Sequence, residues 1–184
     1  MILIKYKCIN YKIIKMNKNY YCDICDKLPN AHSFSVICNA RLKDNYNHHL
    51  SVYYTKVADA IRYYDREGIL QHYENLLRFD SPSDWIWIFD CAGYGLKHSM
   101  EIKTAIGIAK IINKYGHLRR ILVINSNFFI NMIFKSVSVF LNNDIISNTV
   151  MIKKEEKTKF LVELSKYTFD PDDFKELLGL MICL

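Results

Sequence analysis

Residues 85–152 carry the clearest alternation of apolar and polar segments in the chain. The run 85–89 (WIWIF) is wholly apolar and stops at Asp90, which is typical of a strand covered on both faces in a parallel sheet. Ser99 is placed to cap the next helix and Gly116 to end it. A second buried strand at 121–124 completes a βαβ unit, and a third is predicted at 150–152. The apolar stripe of the helix is Ile102, Ala105, Ile106, Ala109 and Ile112.

The segment 127–140 predicts a second helix with an unusual composition. Lys135 is its only charged residue, and no broad polar face remains. Such a helix is buried on every side or faces lipid, and this one is too short to span a bilayer, which needs about 20 apolar residues. Two interpretations stay open: a central core helix, or a movable lid over an apolar cavity.

The remaining segments are patterned more weakly. Residues 33–38 alternate as a strand, 43–49 are polar and predict a loop, and 52–77 predict a helical region that Gly68 divides or bends. The core-facing stripe of that region is predicted to be Val57, Ile61, Tyr64, Ile69, Tyr73 and Leu76. The charged run 153–157 begins a helix whose apolar side is Phe160, Leu161, Leu164 and Tyr167. Asp170 and Pro171 are a typical helix start, and Leu178 and Gly179 are predicted to end that helix.

Two clusters of reactive side chains carry candidate chemistry. Cys22 and Cys25, followed by His32 and Cys38, permit a zinc site, but the spacing matches no familiar zinc motif, so the cysteines are predicted to be unpaired and metal-free. Cys91 could act as a nucleophile with His98 as its base. The sequence offers no evident acid to orient that histidine, so no catalytic residue and no cofactor is predicted.

Composition narrows the possible partners. The 184 residues suffice for one domain with a real core, and the net charge of +6 mildly favours anionic partners such as lipid headgroups. Nucleic acid is not predicted as a partner. The N-terminal segment lacks the pattern of a secretory signal, so the sequence predicts reduced thiols and a cytoplasmic, possibly peripheral-membrane, monomer.

The order of these motifs resembles that of the CRAL-TRIO lipid-binding domain over about residues 33–180. The matching positions are Asp90 and Gly93 after the strand, Tyr115 at the helix end, 121–125 leading to Asn125, Phe140-Leu141 after the apolar helix, and more weakly Asp170-Pro171 and Gly179. The chain departs from the family pattern at Gly116-His117, where the family has Pro-Glu, and at Asn127, where it has Pro. The acidic residue of that turn contributes to inositol headgroup binding in phosphatidylinositol-transfer members, so its absence puts that ligand in doubt.

The resemblance implies an α/β domain over 33–184, with a mixed, mostly parallel sheet, flanking helices and an apolar gate helix, preceded by an N-terminal extension over 1–32. It implies a protein that binds a lipid or other hydrophobic small molecule and exchanges it during transient contact with a membrane surface. The alternatives are an interaction module whose pocket is filled by its own side chains, and an enzyme using Cys91. The expected pocket residues are Trp85, Trp87, Phe89, Tyr94, Leu96, Val123, Phe128, Phe129, Ile133 and Phe134.

Overall fold

The computed structural model describes residues 22–79 and 84–182. The predictions that concern residues 1–21 and Cys183 lie outside these ranges. Within them, six strands form one sheet in the order β5-β4-β3-β2-β1-β6. The strands are β1 (Phe34–Leu42), β2 (Asn45–Lys56), β3 (Asp84–Asp90), β4 (Leu118–Ile124), β5 (Thr149–Met151) and β6 (Tyr167–Phe169).

The sheet is parallel from β2 to β5 and antiparallel at the other edge. β3 pairs in parallel with both β2 and β4, and β4 pairs in parallel with β5. β1 pairs antiparallel with β2 and with β6. The predicted mixed, mostly parallel α/β fold is therefore confirmed.

Helices cover both faces of this sheet. They are α1 (Asp23–Lys27), α2 (Arg66–Phe79), α3 (Leu96–Ser99), α4 (Ile102–Tyr115), α5 (Phe128–Val137), α6 (Asn143–Ser147), α7 (Lys157–Leu164) and α8 (Pro171–Ile182). Among the residues the structure describes, no helix combines the length and apolarity that a bilayer crossing requires.

The two faces of the sheet carry different packing. Trp85 and Trp87 belong to an aromatic-rich cluster with side chains of α2 and α4. Ile86 and Ile88, which point the opposite way from the same strand, belong to an aliphatic cluster that α7 and α8 cover. We call these the aromatic layer and the aliphatic layer. Because both faces are buried, β3 reads as a continuous apolar run.

Several helix boundaries follow from local chemistry. Gly116 caps α4 with φ 58° and ψ −155°, a conformation that side chains with a Cβ rarely adopt. Asn127 caps α5, accepting a hydrogen bond from the Ile130 amide. Asp170 accepts a hydrogen bond from the Asp172 amide where α8 begins, as the sequence predicts.

The prediction of helix over 52–77 was wrong in its first half. Residues through Lys56 complete β2, and α2 begins only at Arg66, so Gly68 lies in its first turn and divides nothing. Residues 52–56 show no clean alternation because β2 is covered on both faces. Val57 lies in a short 3-10 turn after β2, and Ile61 and Tyr64, which were expected to face the core, are exposed. The predicted loop at 43–49 is also wrong, since only a two-residue turn separates β1 from β2.

Three further boundaries differ from the prediction. Ser99 lies in α3, and Glu101 is the residue that precedes α4. Tyr167 does not continue α7 but begins the edge strand β6, whose three residues are too few to show a period. Gly179 lies within α8, which continues to Ile182.

Candidate functional site

An apolar cavity of about 150 Å³ lies in the aromatic layer, between the sheet and helices α2, α4 and α5. Trp87, Phe89 and Val123 line it from the sheet. Ala105 and Ala109 line it from α4, where small side chains leave room beside α5. The inward face of α5 contributes Ile130, Ile133, Phe134 and Val137.

The polar groups at the cavity floor are paired with one another. The Trp87 indole donates to the Thr55 hydroxyl at 3.0 Å, and the Thr55 hydroxyl lies 3.1 Å from the Tyr73 hydroxyl. Burial raises the pKa of Tyr73, so its hydroxyl stays protonated at neutral pH. Because these groups satisfy each other, the floor presents mainly carbon surface to the cavity.

Helix α5 is fixed at its start and closes the cavity along its length. The Asn127 side-chain amide donates to the Tyr94 carbonyl at 2.9 Å, which ties the beginning of α5 to the loop after β3. Ile130, Ile133 and Val137, one turn apart, form the buried face.

The outer side of α5 and its neighbours exposes several large apolar side chains beside the polar Asn131, Lys135 and Ser136. Around the cavity, they come from α3, the residue after it and the segment 128–140. They are Leu96 (62% exposed), Met100 (72%), Phe128 (75%), Met132 (41%), Val139 (77%) and Phe140 (39%). We call this set the exposed apolar patch. Exposed apolar side chains in such number are typical of a protein or membrane contact site.

A few polar groups line the cavity near α3 and the start of α4: Tyr63, His98, Glu101 and Thr104. The His98 Nδ1 atom accepts a hydrogen bond from the Gly95 amide at 3.1 Å, which places the ring proton on Nε2 in the neutral form. Burial, together with the nearby Lys97 charge, lowers the His98 pKa and favours this neutral form. These groups can orient the polar end of an otherwise apolar ligand.

The loop after β3 is organised by Asp90. Its buried carboxylate accepts hydrogen bonds from the Ala92 amide, the Asn125 side-chain amide and the Tyr54 hydroxyl, at 2.7–2.8 Å. The neighbouring Cys91 is 1% exposed, and burial raises the pKa of its thiol. Nucleophilic cysteines act as thiolates, so this environment does not favour catalysis by Cys91.

Six of the ten expected pocket residues line the cavity: Trp87, Phe89, Tyr94, Val123, Ile133 and Phe134. Trp85 instead packs in the core, with its indole donating to the Gly116 carbonyl at 3.0 Å. Phe129 packs against the same core, whereas Leu96 and Phe128 are exposed in the apolar patch.

Sequence reasoning missed the wall that α2 and the segment before it contribute. Thr55, Val57, Tyr63, Ile69 and Tyr73 all line the cavity. The helical spacing of Val57, Ile69 and Tyr73 places them on one core-facing stripe, but the sequence alone did not assign that stripe to the pocket. The α4 stripe did carry a signal, since Ala105 and Ala109 were recognised as core-facing.

The altered turn after α4 lies outside the cavity. Gly116 and His117 both have positive φ, and His117 Nδ1 lies 3.4 Å from Asp84 Oδ1. Neither residue lines the cavity.

One lining residue, His32, also belongs to a second group of side chains. The potential ligand atoms of Cys22, Cys25, His32 and His72 all lie within 4.8 Å of one another. We call this group the Cys/His cluster.

Comparison with known proteins adds two findings. A family model described as the CRAL/TRIO domain matches residues 38–179. The solved structure titled "Crystal structure of Sfh5" is similar with a TM-score of 0.51 and 12% sequence identity, covering 70% of this chain and 50% of that chain. This chain thus spans about half the length of that protein, and at this identity the likeness shows the fold alone. No curated protein matches the sequence.

Proposed function

Since the chain belongs to the CRAL/TRIO family of lipid-binding domains, we propose that it binds a hydrophobic lipid in the cavity under α5 and exchanges it at membranes. In this proposal the protein acts as a monomeric carrier or sensor without catalytic chemistry. Helix α5 serves as the gate.

The observation that carries the proposal is that α5 exposes large apolar side chains on its outer side as well as burying an apolar inner side. Ile133 and Val137 face the cavity, while Phe128 and Met132 face solvent. Asn131, Lys135 and Ser136 are also exposed, so the outer side is mixed, whereas a helix that serves only as core typically has a polar outer face. An outer apolar side is costly in water and becomes favourable when it contacts the bilayer.

The size of the cavity supports a moving gate. Small-molecule sites usually enclose about 300–1,000 Å³, so a cavity of about 150 Å³ holds only part of a lipid until it widens. Exposing apolar surface to water costs about 25 cal/mol per Å². Opening is therefore expected at a membrane, where acyl chains replace water around the exposed patch.

The cavity also bears on the interaction-module alternative. In that alternative the protein's own side chains fill the pocket. A void bordered by Ala105 and Ala109 leaves space that these small side chains do not occupy, which favours a ligand over a self-filled core.

The test is Phe128→Asp, compared with Val162→Asp as a matched control. Both positions are exposed on helices, but Val162 lies on α7 in the opposite layer. Burying a phenylalanine side chain is worth about 1.5–3 kcal/mol, so Phe128→Asp is expected to reduce vesicle binding and lipid transfer by about tenfold or more. Val162→Asp should leave both unchanged.

Thermal melting of both variants separates loss of function from loss of fold. Since Phe128 is 75% exposed, its replacement should leave the melting temperature close to that of the unmodified protein. If both variants and the unmodified protein transfer lipid equally well, the proposal that α5 is a membrane-contacting gate is wrong.

A further inference from the structure

The Cys/His cluster brings together side chains from three separate segments. Cys22 and Cys25 lie at the start of α1, His32 lies in the connection to β1, and His72 lies in the middle of α2. The Cys22 and Cys25 sulfur atoms lie 3.4 and 3.5 Å from His32 Nδ1. The His32 and His72 rings are 5.7 Å apart between centroids. All four side chains are buried and both cysteines are free thiols.

These separations are those of a tetrahedral metal site. With Zn–S bonds of about 2.3 Å and Zn–N bonds of about 2.0–2.1 Å, neighbouring sulfur and nitrogen ligands lie about 3.5 Å apart. Two thiolates and two imidazoles are a common structural zinc ligand set. From this geometry we propose that Cys22, Cys25, His32 and His72 bind one structural zinc ion.

The hydrogen bonds of the two histidines leave Nδ1 as the nitrogen that can bind a metal in each ring. His72 Nε2 donates to the Phe34 carbonyl at 2.7 Å, which fixes the ring proton on Nε2 and makes Nδ1 the nitrogen with the lone pair. His32 Nε2 lies 3.4 Å from the Asp65 carboxylate, so His32 Nδ1 likewise carries the lone pair and faces the two sulfur atoms. Metal-bound histidines characteristically hold their second nitrogen on a carbonyl or a carboxylate in this way.

The surroundings of His32 and Asp65 are shaped to hold this pair. Asp65 Oδ1 accepts a hydrogen bond from the Gly68 amide at 3.0 Å. A Cβ at Gly68 would come within 2.6 Å of Asp65 Oδ2 and 2.8 Å of the His32 ring, so the glycine leaves the space the pair occupies. Asp65 is thus a positioning residue for a metal ligand.

The charge of the proposed ligand set matches a divalent ion. Two thiolates would neutralise Zn²⁺, so the metal-bound cluster places no net charge in the interior.

The sequence alone predicted a metal-free cluster because it could not identify the fourth ligand. His72 is separated from His32 by β1, β2 and the start of α2, and no spacing rule connects the two histidines. Cys38, which sequence reasoning grouped with the pair, instead lies in the aliphatic layer on the other face of the sheet.

The experiment measures zinc in the purified full chain after dialysis against metal-free buffer, by elemental analysis and native mass spectrometry. We expect about one zinc ion per chain. Exchange with Co²⁺ should give a thiolate-to-cobalt charge-transfer band and the visible absorption of tetrahedral cobalt. Cys22→Ser combined with Cys25→Ser, and separately His72→Gln, should lower zinc content about tenfold or more, whereas Cys38→Ala should retain it.

Asp65→Asn provides a graded variant that keeps all four ligands. Its zinc affinity should fall about 10–100-fold while one ion still binds at saturation. If the cysteine variants do not fold, mercurial titration of the unmodified protein decides instead, since blocking the thiols should release zinc in proportion. Unmodified protein that neither retains zinc nor shows thiolate-bound cobalt overturns the proposal, as does zinc retained by the double cysteine variant.

Discussion

Replacing Ala105 with phenylalanine fills the cavity from α4 and tests whether a ligand occupies it. An apolar cavity of about 150 Å³ accommodates a benzene molecule, and Ala→Phe adds one phenyl ring. An enclosed void costs about 24 cal/mol per Å³, so about 3–4 kcal/mol is an upper bound for this partly open cavity when it is empty. Because the added ring fits imperfectly, we expect about 1–2 kcal/mol of that to be recovered.

The assay combines thermal unfolding of delipidated protein with lipid transfer between vesicles. At about 2–4 °C per kcal/mol for a chain of this size, the melting temperature of Ala105→Phe should rise by roughly 2–8 °C. Transfer and co-purified lipid should both fall, since the phenyl ring takes the ligand's space. Lys103→Phe adds the same ring to the exposed side of α4. It should leave the lipid transfer and the amount of co-purified lipid unchanged.

A less stable Ala105→Phe variant that still transfers lipid at the normal rate would refute this reasoning. It would mean that the cavity is neither the ligand site nor able to accept a ring.

Other substitutions address the core and the electrostatics. Gly116→Ala should lower the free energy of unfolding, measured in urea, by about 1–3 kcal/mol, because φ 58° and ψ −155° disfavour a residue with a Cβ. No atom lies within 4 Å of the added Cβ, so an unchanged free energy of unfolding would mean that this turn relaxes freely. Burial raises the pKa of Glu163, but Lys166 and Arg120 outweigh burial and hold this pKa below its ordinary value of 4.5. The ionised Glu163 therefore stabilises the fold above pH 4.5, and this stabilisation is lost as the pH falls through the lowered pKa. Glu163→Gln should therefore be less stable near pH 7 and show a shallower acid limb in melting temperature against pH; an unchanged acid limb would contradict this. Cys91→Ala should retain lipid transfer at a cost of about 1 kcal/mol in stability, whereas turnover abolished by that change would favour the enzyme alternative.

The elements that sequence could predict are those whose local signals agree with one another. In the βαβ unit, the apolar run predicts β3, and the stripe and the glycine at 116 predict the body and the end of α4; the structure has these, and only the start of α4 differs. The apolar helix at 127–140 was likewise found, as α5 and a short 3-10 turn from Ser138 to Phe140. Its role as a gate stays a prediction.

The elements that failed depend on partners far away in the chain. The polar residues of β2 near His48 read as a loop, yet His48 pairs with Asp84 on the neighbouring strand. An edge strand such as β6 is defined by its pairing with β1 and not by its own three residues. In the candidate site, the expected pocket residues lie on the sheet, on α5 and on the segment between β3 and α4. None lies on α2 or α4, because a core-facing stripe does not by itself show that it borders a cavity.

The division of the interior into an aromatic and an aliphatic layer has a consequence for how the molecule opens. In the aliphatic layer, Ile88, Leu122, Leu164 and Leu177 are almost fully buried and hold the central strands to α7 and α8. The cavity under α5 lies on the other side of the sheet, so in the proposed opening α5 separates from the sheet while the central strands stay anchored. Its amide protons are therefore expected to exchange with solvent by a local opening of low free energy, and those of β3 and β4 only when the whole domain unfolds.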